Sequence, residues 1–146
     1  MFRLTALISV LFLIISPFLM AKPQQRIKRS FIDAVALQES GNKPLPKKWD
    51  VNAYRLGYFQ ISNDVWKDAT SFDRTLKSGS WEKCQSDRVY ASKIMMAYLK
   101  RYCPNAVKAN DYQTMARVWN GGPRGYKIKA TEKYWSGVKR LMNQPE

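Results

Sequence analysis

Glu39 and Asp50 are the carboxylates whose setting in the sequence suggests chemistry. Glu39 closes an apolar helical run just ahead of Gly41. Asp50 follows a lysine-rich loop punctuated by Pro44 and Pro46 and leads into an alternating segment, residues 51–61, that reads as strand and turn. Acids carried by different elements can sit in different surroundings, so that one stays protonated while the other stays ionised near neutral pH. The end of a helix disfavours negative charge, and nearby apolar side chains disfavour it further, so Glu39 is placed to hold a proton. The reaction suited to such a pair is glycoside hydrolysis.

The rest of the composition narrows the field. The 146 residues contain no histidine, which removes Ser-His-Asp and Cys-His catalysis and every histidine-bearing zinc motif. Lysine and arginine outnumber acids 25 to 11, a formal charge of +14 that favours nucleic acid, anionic membranes or an acidic polymer such as a bacterial wall. The length suits one domain with a single core.

Domain organisation begins with processing signals. Arg3 precedes an apolar run over residues 4–20, and Ala21 is a small residue at a plausible cleavage point, so residues 1–21 read as a secretory signal peptide. An uncleaved membrane anchor is the rival, disfavoured by Pro17 and the small residue at its end. Residues 22–29 form a basic leader or pro-segment, and residues 30–146 the folded domain.

The elements that must position the two acids follow in order. Ser30 as N-cap, Asp33 in the first turn and Gly41 past the end bracket a helix carrying Phe31, Val35 and Leu37. Residues 51–61, with Tyr54, Tyr58, Phe59 and Ile61 around Gly57, predict a small hairpin or irregular sheet in which Phe59 and Ile61 are core. Sugar rings stack on tyrosine and tryptophan faces, which makes Tyr58 a binding candidate, and Asn52 and Gln60 are candidates to hydrogen-bond hydroxyl groups. Ser62 and the two residues after it cap a helix through Trp66 and Ala69, followed by a polar loop with Gly79. Residues 86–102 read as one long amphipathic helix stopped by Pro104, its methionines being core material. Asp111 caps the next helix, which ends at Asn120-Gly-Gly-Pro-Arg-Gly125; such a backbone can approach a polymer closely, with Asn120 bonding it. Thr131 starts the last helix, in which Tyr134, Trp135, Val138 and Leu141 supply apolar contacts.

Cys84 and Cys103 flank the long helix. Some sixteen helical residues span roughly 24 Å, whereas bridged cysteines need Cα atoms within about 7 Å, so two unbridged thiols are expected.

Four pieces in order carry a resemblance to a known family: Glu39-Ser-Gly41; Asp50 seven positions before Gly57-Tyr-Phe-Gln-Ile61; Tyr98-Leu-Lys-Arg-Tyr102; and Ala116-Arg-Val-Trp-Asn-Gly-Gly-Pro-Arg-Gly125 leading to Tyr134-Trp135. Together they are similar to the invertebrate-type lysozymes, the destabilase family, over residues 31–138. The resemblance implies an α+β, predominantly helical, lysozyme-like fold with a small β-hairpin beside the active-site cleft. It also implies a secreted, bacteriolytic muramidase cleaving the β-1,4 bond between N-acetylmuramic acid and N-acetylglucosamine. Glu39 would then be the general acid and Asp50 the nucleophile or electrostatic stabiliser. A retaining pair would stand about 5–5.5 Å apart and an inverting pair roughly 6.5–9.5 Å.

The chain departs from the family in three places. Phe31, Ala34, Ala36 and Ala69 stand where members commonly carry cysteine, so small apolar packing is expected to replace bridges. Trp119 stands where histidine commonly precedes Asn-Gly-Gly, which removes the residue on which an isopeptidase activity of some members relies. The loop between the two acids is one residue shorter than in typical members.

Two other readings fit the same residues. A lytic transglycosylase would use Glu39 alone and release an anhydro sugar, and a cationic antibacterial or wall-binding protein would use the scaffold without chemistry. Specific nucleic-acid recognition is not expected, since no basic helix or stacking module stands out. The expectation is a monomer acting on bacterial peptidoglycan, with no cofactor, no metal and no membrane span once the signal is removed.

Overall fold

A computed structural model describes residues 29–50 and 53–144. The expected signal peptide and the leader up to residue 28 lie outside the described residues. Among the described residues no helix is long and apolar enough to cross a membrane.

Helix α1 (Arg29–Ser40) opens the domain, so Ser30 lies inside the helix rather than capping it. No proline or glycine at that point interrupts the backbone, and the described helix already includes Arg29. Its residues Phe31, Ala34 and Val35 form one buried face, as their spacing requires. Asp33, expected in the cap region, makes a longer-range link: its carboxylate pairs with Arg88.

Strands β1 (Lys48–Asp50), β2 (Ala53–Leu56) and β3 (Ile61–Ser62) form an antiparallel sheet in the order β1-β2-β3. Trp49 faces Tyr54, Asp50 faces Ala53, and Leu56 faces Ile61 in register. The hairpin expected around Gly57 is β2–β3, the second half of a three-stranded meander to which β1 adds an edge strand. Phe59 and Ile61 are fully buried, as expected.

Ser62 caps α2 (Asn63–Phe72), accepting from Val65 N at 3.3 Å. The polar loop that follows contains a 3-10 turn, Arg74–Ser78. It is held to the core by two polar tips: Tyr90 Oη donates to Leu76 O (2.8 Å) and Trp81 Nε1 donates to Ile61 O (2.9 Å).

The long helix expected over residues 86–102 is present and begins at Arg88. Cys84 belongs to the short α3 (Lys83–Ser86), and Asp87 breaks the path with extended backbone (φ −95°, ψ 93°) before capping α4 (Arg88–Tyr102). The Asp87 carboxylate accepts from Tyr90 N at 2.8 Å, a local bond that competes with continuing the helix. Pro104 ends α4, as expected, but also begins α5 (Pro104–Ala109) at the position where its missing N–H costs nothing.

Cys84 and Cys103 are both buried and unbridged. Burial pushes the Cys84 thiol up to about 12 and the Cys103 thiol up to about 11, so both are protonated packing groups at neutral pH.

Asp111 caps α6 (Tyr112–Gly121), accepting from Thr114 N at 3.1 Å, and α7 (Thr131–Met142) packs across α1 and α6. The four residues standing at the family's cysteine positions are buried: Phe31, Ala36 and Ala69 show no exposed surface and Ala34 shows 1%. Met95 and Met115 are fully buried core.

Candidate active site

Glu39 is the penultimate residue of α1 and half-buried. The helix ends there because Gly41 and Asn42 both take the left-handed conformation (φ 65° and 57°). Their N–H groups return to the carbonyls of Leu37 and Ala36, each at 3.0 Å. Between acid and glycine, Ser40 Oγ donates to Tyr58 O at 2.8 Å, fastening the helix end to the turn between β2 and β3. The three residues of Glu39-Ser-Gly41 thus divide the work, the first supplying the carboxylate, the second the tie to the sheet and the third the helix stop. Arg88 adds a second brace, donating to Asn42 Oδ1 at 2.9 Å while pairing with Asp33 at the other end of α1.

Two donors from other helices meet one oxygen of the carboxylate. Tyr134 Oη on α7 donates to Glu39 Oε1 at 2.7 Å, and Trp119 Nε1 on α6 donates to the same atom at 3.2 Å. Burial pushes the Tyr134 phenol well above its ordinary range, and the facing Glu39 carboxylate pushes it the same way, so this donor keeps its proton. Trp119 in turn is held edge-on against Tyr98, with ring centroids 5.8 Å apart. The Glu39 carboxylate is therefore oriented by α6 and α7 as well as by its own helix.

The other sequence candidates fall in different places. Asp50 ends β1 opposite Ala53, on a sheet whose β2–β3 turn is tied to α1 through Ser40. Asn52 lies outside the described residues. Tyr58 is half-buried and packs against the core, and its carbonyl is the one that holds Ser40. Gln60 takes a positive φ of 50° and its Nε2 donates to Gly57 O at 2.9 Å, closing the turn. Asn120 is exposed near the end of α6, directly after Trp119.

Tyr134 and Trp119 are the site residues that sequence reasoning missed. In the sequence Tyr134 counts among the apolar contacts of the last helix, and Trp119 is notable only for the absent histidine. The available signal was chemical: a buried tyrosine or tryptophan seeks an acceptor for its polar tip. That rule names no partner, and Glu39 lies 80 and 95 positions away.

Known proteins share this arrangement of elements. The destabilase family model matches residues 30–141. The chain is 38% identical to Lysozyme 1 of Crassostrea virginica over 100 residues, 68% of this chain and 52% of that protein, so it spans about half that relative's length. It is 32% identical to Invertebrate-type lysozyme 3 of Caenorhabditis elegans over 115 residues, 74% of this chain and 81% of the relative. Its fold is similar to the crystal structure of Tapes japonica lysozyme, with a TM-score of 0.64 and 30% identity over 77% of this chain and 88% of that one.

Proposed function

The chain belongs to the destabilase family, the invertebrate-type lysozymes, which are glycoside hydrolases, and from that premise we propose that it is a secreted muramidase. It hydrolyses the β-1,4 bond between N-acetylmuramic acid and N-acetylglucosamine in bacterial peptidoglycan. The observation that carries this reading is the double anchoring of Glu39 Oε1 by Tyr134 and Trp119 at the end of a braced helix.

With Oε1 accepting two hydrogen bonds, the transferable proton belongs on Oε2. Glu39 protonates the glycosidic oxygen from that atom, and Asp50 stabilises or captures the oxocarbenium-like centre. Glu39, now ionised and held by its two donors, takes a proton from the incoming water. The donors serve both halves of the cycle because they fix the carboxyl plane, and a misplacement of about 1 Å costs about a hundredfold in rate. The +14 charge draws the enzyme to the anionic wall.

Tyr134→Phe tests the anchoring. It keeps the ring and removes the 2.7 Å donor. Turnover is expected to fall by about ten- to a hundredfold. Because a hydrogen bond to a carboxylate favours its ionised form, losing one leaves Glu39 protonated to higher pH. The alkaline limb of the pH–rate profile should therefore move upward in the variant. A limb that stays in place while turnover falls would reduce Tyr134 to a packing role.

Reaction products test the chemistry itself. A hydrolase releases muramic residues with a free reducing end, whereas a transglycosylase releases the 1,6-anhydro sugar. Mass spectrometry of digested walls is expected to show the reducing product, heavier than the anhydro sugar by one water; anhydro products together with a fully active Asp50→Asn variant would replace hydrolysis by transglycosylation. The initial anomer, read by NMR during turnover, reports whether the carboxyl pair retains or inverts.

A further inference from the structure

Tyr134 borders a second feature besides Glu39. An open groove of about 630 Å³ runs between the last turn of α1 and one face of α7, lined among others by Gln38, Lys133, Tyr134, Gly137 and Arg140. Gly137 lies in its floor, beside Gln38. A Cβ there would come within 2.5 Å of the Gln38 side-chain oxygen, the movable end of an exposed side chain. Positions 133, 137 and 140 share one helical face, which sets a cation one turn to either side of the glycine.

The groove is positively charged and uncompensated. Lys133 and Arg140 are exposed, and neither has an ion-pair partner among the described residues. Glu132, the acid on this helix, leans to Arg117 instead, at 3.7 Å. Tyr134 forms part of the groove lining while its hydroxyl reaches Glu39 Oε1. The groove therefore stands one tyrosine side chain from the acid.

The chemistry of the substrate fits that distance. The acid acts on the oxygen attached to the muramic ring, and the same ring carries, through its lactyl group, a short peptide with free carboxylates. We propose that the α1–α7 groove is the subsite for this acidic peptide stem, with Lys133 and Arg140 meeting its carboxylates and the Gln38 amide its peptide groups. The subsite rests on the muramidase reading. It makes the enzyme prefer stem-bearing glycan to bare glycan.

The test compares the full chain with its Lys133→Ala/Arg140→Ala variant on two soluble substrates. One is uncross-linked glycan strands with their stems; the other is the same strands after an amidase has removed the stems. The ratio of kcat/KM on stem-bearing to bare strands is expected to fall about fivefold in the variant, through KM. An unchanged ratio, even with both rates reduced, overturns the subsite and leaves only diffuse charge attraction. A second measurement is independent of cleavage: calorimetric titration of the free tetrapeptide stem into Glu39→Gln and into Glu39→Gln carrying the double substitution. Stem binding lost with the two cations supports the groove even if the chain cleaves nothing, which would sink the muramidase reading alone. Hydrolysis of both strands with no stem bound, or inorganic phosphate bound as tightly as the stem, sinks the groove alone.

Discussion

Glu39→Gln is expected to abolish clearance of bacterial wall suspensions, lowering turnover by about 10³-fold, or about 4 kcal/mol of transition-state stabilisation. The substitution is conservative everywhere except in the proton. Glutamine has the same length, and its carbonyl oxygen can still accept from Tyr134 Oη and Trp119 Nε1, so α1, α6 and α7 keep their mutual contacts. What is lost is an acid at the position of Oε2, since an amide there neither delivers a proton nor takes one from water. The thermal midpoint should therefore stay close to that of the wild type while turbidity clearance disappears. Unchanged clearance and unchanged bacterial killing would assign both to the cationic surface and abandon catalysis.

The second large effect concerns stability. Gly57→Ala is expected to cost roughly 2–5 kcal/mol, the sum of a left-handed backbone imposed on an L-residue and of overpacking against rigid main chain. Gly57 has φ 76°, and a Cβ there would lie 2.1 Å from the Cys84 carbonyl oxygen and 2.9 Å from its carbon. Neither atom belongs to a flexible side chain, so the β2–β3 turn would have to lift away from α3. Gly41 provides the contrast. Its φ is 65°, but a Cβ there meets nothing within 4 Å, so Gly41→Ala should cost only the backbone part, about 1–2 kcal/mol. Denaturant midpoints of the two variants separate strain from collision. Equal losses would mean that the turn yields freely and that the close approach of Gly57 to α3 has no energetic weight.

The two expected effects differ in kind. Glu39→Gln leaves the frame and removes the reaction, whereas Gly57→Ala leaves the acid and loosens the turn to which its helix is tied through Ser40 and Tyr58. A fall in activity with Gly57→Ala should follow the unfolded fraction and be recovered at lower temperature or lower denaturant.

Elements with a local cause are legible in the chain. Ser62 and Asp111 cap helices as their types require, because a short side-chain oxygen reaches the N–H groups of its own first turn whatever the rest of the molecule does. Gly41 stops α1 for an equally local reason. The long helix is legible as well, and its start at Arg88 rather than Ser86 is set by Asp87, whose carboxylate accepts from Tyr90 N. Pro104 signals a stop, yet a proline suits a first helical position as well as it ends the preceding helix. Asp33 sits where a cap residue would, but its partner Arg88 is 55 positions away.

The same division applies to the candidate site. The sequence by itself determined the reagents: no histidine, a glutamate at a helix end followed by serine and glycine, an excess of cations, and four motifs in a family's order. These follow from residue type and from neighbours a few positions apart, where geometry is nearly independent of fold. Only the tertiary structure decided which groups address the acid. Trp119 and Tyr134 reach Glu39 Oε1 because α6 and α7 pack beside α1, and Gln38 meets Gly137 in a cationic groove for the same reason. Those contacts join residues 80 to 99 positions apart, and no local preference encodes a meeting that exists only after the helices have buried their apolar faces together.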